Sequence, residues 1–395
     1  MEGFLFNDKR KEEKMLDLIL RNGCLTDPQN GLNGLLGDIA IKNGEIVELG
    51  EIGSEPALHE IDLEGLTVTP GLIDFHAHFY DGGTNTSLDF SRYLATGVTN
   101  AVDAGSAGYS NIENFISSLS EQERRNVKLF LYFSSEGQCC VGEHNECINP
   151  KYFNEEKILR ICKKYPDLIM GLKLRISEEV AEFSNTTGFA SLRRGIEIAE
   201  ACKLPVSVHM PNFQGELKEL IDILRKDDIF CHVFTPQKGI LVDGAVSDEM
   251  FRAVEKGIVL ESACGKGHFG HECTAKALAL GLKPDSISGD ITKNTFGYEP
   301  VISLPYLMSR FLALGMNFAD VLACCTSFPA KKMGMADVIG CLKKGARANI
   351  AVFERKQGNY TFTDVRGVKI NGSELLVPML TVLEGELAFR NHAAF

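Results

Sequence analysis

Tryptophan is absent from this chain of 395 residues, and that absence excludes nothing. Other shortages are more telling. No apolar run reaches the roughly 18 residues that suggest a membrane span. Positive charge is scarce: 41 Lys and Arg stand against 53 Asp and Glu, a net charge of −12. That balance argues against nucleic acid or an anionic membrane as a main partner and leaves a small-molecule substrate. The twelve cysteines lack the spacing of a disulfide scaffold. No apolar h-region stands near the N-terminus, where residues 1–14 are highly charged. A cytoplasmic, reducing setting with mostly free thiols is the expectation. Internal repeats and low-complexity tracts are missing too.

Apolar residues make up 44% and charged residues 24%, the balance of a globular protein. The length exceeds one ordinary core and suits a barrel of about 250 residues with a smaller domain. Residues 1–66 read as a polar lead-in and a small β unit, with short strands at Leu16–Arg21, Gly37–Lys42 and Glu45–Leu49. Asn43-Gly44 is the hairpin turn between the last two. From Val68 the rhythm changes. Eight β-type runs follow: Gly71–Phe79, Gly97–Gly105, Val127–Phe133, Ile169–Arg175, Leu204–Met210, Ile229–Phe234, Gly257–Ala263 and Ser286–Thr292. Most are separated by helical patterns. This alternation predicts an α/β fold, a (β/α)8 TIM barrel over residues 67–338. An open doubly wound sheet is the rival, but it can hold early and late strands far apart. Residues 339–395 return to strands and are expected to join residues 1–66 in one β-sandwich domain built from both chain ends.

The chemistry concentrates at strand ends. His76 and His78 alternate on one strand, so they share a face. Lys173, His209, His232 and Asp290 each close a separate β-type run. Active-site groups of a β/α barrel sit at the C-terminal strand ends. Imidazole and carboxylate suit Zn²⁺ and similar ions. Lysine has no lone pair to give while protonated, but its neutral amine reacts with CO₂ to form a carbamate that can bridge two cations. Taken singly, each residue has a bland reading: a hydrogen-bonded core histidine, a strand lysine, a capping Asp. Six in barrel order point to one metal site.

The chain resembles the amidohydrolase superfamily over nearly its whole length. The resemblance is carried by Pro70-Gly71-Leu72-Ile73-Asp74-Phe75-His76-Ala77-His78, by Gly171-Leu172-Lys173-Leu174-Arg175, by His209 and His232, and by Ser286-Ile287-Ser288-Gly289-Asp290. Residues 329–334 and 339–350 resemble the family's passage back into the sandwich, with Asn349 where the family usually has Asp. The resemblance implies two divalent metal ions, expected to be zinc. His76, His78, carboxylated Lys173 and Asp290 would hold the more buried ion, and Lys173, His209 and His232 the more exposed one. It also implies a metal-bridging hydroxide as nucleophile, with Asp290 as general base and then general acid.

Within the superfamily, Tyr80 stands where dihydroorotases place an Arg two residues after His-x-His. Asp103-Ala104-Gly105-Ser106-Ala107-Gly108 together with residues 171–175 looks closer to the amidohydrolase/deacetylase metallohydrolases. That branch implies cleavage of an N-acyl amide or acyl ester of a small carboxylate-bearing molecule. Alternatives are a cyclic amidohydrolase of dihydroorotase or hydantoinase type, a mononuclear deaminase, against which Lys173 argues, and a metal-free scaffold, against which the full ligand set argues. Arg175 is a candidate for the substrate carboxylate, with a salt bridge to a nearby loop as its other reading. Tyr80 and His268 are further candidate substrate contacts; His268 lies in the glycine-rich loop 264–271. Cys139, Cys140, His144 and Cys147 cluster after the third barrel strand without a paired CxxC spacing, so free thiols or a specificity loop are favoured over a second zinc site. A homo-oligomer is the base-rate expectation.

Overall fold

A computed structural model describes residues 15–84, 86–138 and 146–392. Five strands come first: β1 (Leu16–Asp27), β2 (Leu32–Lys42), β3 (Glu45–Gly50), β4 (Ala57–Asp62) and β5 (Thr67–Pro70). Asn43 and Gly44 both take positive φ, 51° and 79°, the backbone of the tight turn expected between β2 and β3. Three more strands come from the far end of the chain: β15 (Ile350–Thr363), β16 (Lys369–Leu383) and β17 (Glu386–Arg390). All eight belong to one sheet, ordered β17-β16-β15-β5-β1-β2-β3, with β4 on β1.

The expected sandwich is therefore a single connected sheet, curled so that its two ends meet. The amide of Ala348 donates to the Gly44 carbonyl at 2.8 Å, and that of Gly385 to Ala348 at 3.0 Å. Ile41 and Ile46 from one end share a core with Leu380 and Val382 from the other. The stretch 67–70, placed by the sequence at the start of the barrel, pairs with β1 and β15 in this sheet. Its run of buried Thr, Val and Pro reads equally well as the entry to a barrel strand, and only the pairing partners decide.

The barrel strands are β6 (Leu72–Ala77), β7 (Val98–Asp103), β8 (Val127–Tyr132), β9 (Ile169–Arg175), β10 (Val206–His209), β11 (Ile229–Cys231) and β14 (Val259–Glu261). A short hairpin of β12 (Leu241–Val242) and β13 (Ala245–Val246) lies between the last two. The seven form one parallel sheet in sequence order. β6 and β7 are buried at every position, as strands covered on both faces are. The eighth run is not a regular strand. It makes one bridge on each side, Ser286 to Glu261 and Ile291 to Ala77, and these close the ring. Gly289 and Asp290 interrupt it: Asp290 sits at φ 46°, outside the extended region. Below the site, Phe75, Val102, Phe130, Ile229 and Val259 cluster with Ala330 and Met333 of the chain after the barrel. No helix among the described residues is long and apolar enough to cross a membrane.

Candidate metal centre

Period-two alternation along parallel strands sends one row of side chains into the barrel. Aligned registers then set those rows side by side: Lys173 is level with Ser207, and Cys231 pairs with both His209 and Glu261. The Lys173 Nζ lies 3.4 Å from the Ser207 Oγ and 3.6 Å from the Cys231 Sγ. Its side chain is buried, and among the described residues its hydrogen-bond partners are Ser207 and Cys231, not a carboxylate.

The predicted ligands converge. The Asp290 Oδ1 lies 3.4 Å from the His78 Nε2 and 3.9 Å from the His76 Nε2. Ring centroids of His76 and His232 are 5.2 Å apart, and those of His209 and His232 are 4.4 Å apart. His232 follows β11 at φ 59°, a left-handed turn that redirects its ring at the strand end. The donor atoms of His76, His232 and Asp290 all lie within 4.8 Å of one another, as do those of His209, His232 and His268, and of His76, Cys231 and Glu261.

A second row of residues orients the first. The Glu261 Oε2 stands 3.0 Å from the His76 Nδ1, while its other oxygen accepts from the Ser288 hydroxyl at 2.9 Å. The His78 Nδ1 meets the Ser106 Oγ at 2.9 Å, and that hydroxyl donates to Asp103 at 2.8 Å. The His232 Nδ1 donates to the Ala263 carbonyl at 2.6 Å. In each case one ring nitrogen is fixed by a partner, which leaves Nε2 to face the site. Sequence reasoning missed Glu261 and used Asp103 and Ser106 only as part of a motif that marks the branch. The signal was present: an acid at the end of an otherwise apolar β run needs a buried partner.

Close backbone approach is built in. A Cβ on Gly105 would meet the Lys173 Cβ at 2.6 Å, and one on Gly265 would meet the Asp290 Oδ2 at 2.4 Å. Burial lowers the affinity of His76, His209, His232 and His268 for protons, favouring the neutral, ligating form. Burial also pushes the Asp74 carboxyl up to about 7. At Asp290 burial acts in the same direction, but the hydrogen bond to His78 and the neighbouring imidazoles outweigh it and hold the carboxyl well below its usual range. The His232 Nε2 is buried with no hydrogen-bond partner among the described residues. An orphaned imidazole nitrogen aimed into a cluster of neutral imidazoles and a carboxylate fits a bound cation.

The other predicted contacts are placed differently. Arg175 pairs with Glu179 at 2.7 Å and Glu146 at 3.5 Å, and donates to the Ser177 Oγ at 3.0 Å, so its guanidinium already meets two carboxylates. Tyr80 stacks on Phe115 with centroids 4.8 Å apart. His268 joins the imidazole cluster. Of the cysteine-rich loop, Cys139, Cys140 and His144 lie outside the described residues, and Cys147 is a buried free thiol.

No protein-family model matches the chain. It is similar to a deacetylase of Agrobacterium fabrum, 30% identical over 348 residues, covering 87% of this chain and 84% of that protein. Among solved structures it is similar to an adenine deaminase, with TM-score 0.85 and 25% identity over 95% of this chain and 100% of that one. It is also similar to a dihydroorotase, with TM-score 0.83 and 28% identity over 95% and 98%.

Proposed function

The chain belongs to the amidohydrolase superfamily, and from that premise we propose that it is a deacetylase-type metallohydrolase cleaving the acyl C–N or acyl ester bond of a small carboxylate-bearing molecule. The observation that carries this reading is the joined donor set: clusters that share His76 and His232, with a buried lysine whose partners among the described residues are Ser207 and Cys231.

His76, His78, Asp290 and Lys173 would hold one divalent cation, and Lys173, His209 and His232 a second. Lys173 would serve both as a carbamate: its neutral amine and CO₂ would form one N–C bond and release one proton, turning an uncharged side chain into an anion. Bound there, the two ions would bring a water's pKa toward neutrality and polarise the substrate carbonyl. The remaining work belongs to the chain. Asp290, ionised at rest, takes a proton from the attacking water at its carboxylate and delivers it to the departing nitrogen or oxygen. Glu261 and Ser106 keep the His76 and His78 rings in the tautomer that presents Nε2 to the site. The likeness to a dihydroorotase favours ring opening of a cyclic amide as the second reading.

The test is metal content per chain on protein purified without chelator, repeated on Lys173→Ala. About two ions in the wild type, falling to one or none in the variant, supports the paired site. About one ion, unchanged by the substitution, removes Lys173 as a bridge and turns attention to deamination. A panel of N-acetyl amino acids and acetyl esters, run beside dihydroorotate and hydantoins, then separates the deacetylase from the cyclic-amide reading.

A further inference from the structure

The loop between β14 and the helix His271–Ala279 crosses the mouth of the barrel and is fixed at both ends. The amides of Cys264 and Gly265 donate to the Ser288 and Gly289 carbonyls at 3.0 and 2.9 Å, and that of Gly270 to Phe234 at 2.9 Å. Gly265, at φ 53°, passes so close to Asp290 that no side chain fits between them. This anchoring delivers the His268 ring to 4.3 Å from that of His232 and 4.9 Å from that of His209, centroid to centroid. A ligand atom from each of the three lies within 4.8 Å of the others. The His268 Nδ1 is buried, with no hydrogen-bond partner among the described residues. Two of the three rings thus carry a buried nitrogen with no hydrogen-bond partner among the described residues, which is costly unless something accepts them.

We infer that His268 is a ligand in its own right: with His209 and His232 it forms a three-imidazole site for the more exposed cation, an assignment that rests on the metal-centre reading above. Three imidazoles added to Lys173 make a donor set that suits zinc and its first-row neighbours. The loop then reports on the metal. With the ion bound, residues 265–270 would be tied to the barrel mouth through His268. A role for His268 in touching substrate alone needs no metal contact, so a measurement without substrate distinguishes the two.

The experiment is Co²⁺ titration of chelator-stripped protein, wild type against His268→Asn, with His209→Asn as the positive control. The expected result is about two ions in the wild type. In H268N the weaker ion should bind at least about tenfold less tightly, the lower end of what even the outer partners of a ligand contribute, and its visible absorption should change, with metal-free thermal unfolding unaltered. H268N matching the wild type in affinity and spectrum overturns the inference and leaves the metal-centre reading standing. A wild type that takes up no Co²⁺ overturns both. Should H268N fail to fold, the wild type alone decides. Cadmium–nitrogen couplings in protein with labelled histidine rings should appear at five imidazoles, His268 among them. Couplings at only His76, His78, His209 and His232 overturn the inference.

Discussion

At the scale of the residue, the site is organised by what each ring nitrogen is given to hold. Glu261 is buried and spends one carboxylate oxygen on His76 and the other on Ser288. Replacing it with Gln keeps the shape and removes the charge. Glu261→Gln should weaken metal binding by about 10- to 100-fold, as loss of an outer partner does, with little loss of fold; chelator competition measures this, and an unchanged affinity would remove Glu261 from the centre. Gly265 sits where a methyl group would press on the Asp290 Oδ2. Gly265→Ala combines that clash with a non-glycine residue at positive φ, a strain of about 1–3 kcal/mol. Its expected signature is a kcat/KM that falls further than the melting temperature implies; a variant as active as the wild type would show that the loop can move away at no cost.

At the scale of the element, the helix His271–Ala279 continues from the loop that carries His268. Its first amide donates to Asp364 at 2.9 Å, fastening it to the turn between β15 and β16. The His271 ring is buried, and burial together with nearby Arg310 lowers its pKa from 6.5 to about 4. The folded state therefore resists a proton that the unfolded chain accepts. The stability this His contributes is complete above 6.5 and is lost as pH falls from 6.5 toward 4, by up to about 1.4 kcal/mol per pH unit. Chemical denaturation of the wild type and of His271→Gln at a series of pH values should show the two diverging in that window, with the wild type losing more. Parallel curves would place His271 in solvent. The irregular eighth run shows the same principle in backbone form: Asp290 takes φ 46° to reach His76 and His78, and regular strand pairing gives way there.

At the scale of the whole molecule, the terminal sheet and the barrel are joined under the site. β5 pairs with β15, and the chain passes from Pro70 through Gly71 into β6, the strand that carries His76. Asn349 locks the joint. It is buried, and its amide donates to the Asn100 Oδ1 at 2.8 Å and to the Asn126 Oδ1 at 3.4 Å, while its oxygen accepts from the Glu384 amide at 2.8 Å. In the structure it is one of three asparagines in a buried network. Asn349→Asp would set a carboxylate against two carbonyl oxygens and should cost about 2–4 kcal/mol of stability, read as a lower denaturant midpoint, while metal stoichiometry stays unchanged. A stability equal to the wild type would show that Asn100 and Asn126 can turn their amides to suit a carboxylate.

The alternation of apolar β runs with amphipathic segments determined an α/β barrel, because period two and period 3.6 are written locally. His76, His78, Lys173, His209, His232 and Asp290 were legible as a set because each ends such a run, and a barrel sends strand ends to one mouth. Which partners turn those rings was decided only by the tertiary structure. Glu261 and His76 are 185 residues apart, and no local pattern encodes the register that brings them together. The same holds for His268, read from the sequence as a candidate substrate contact in a glycine-rich loop until the anchoring of that loop to residues 288 and 289 is seen. It holds for Arg175 as well, open to a substrate carboxylate in the sequence and met by Glu146 and Glu179 in the fold. Hydrophobic periodicity is a property of neighbours along the chain; hydrogen-bond partners of buried polar groups are chosen across it.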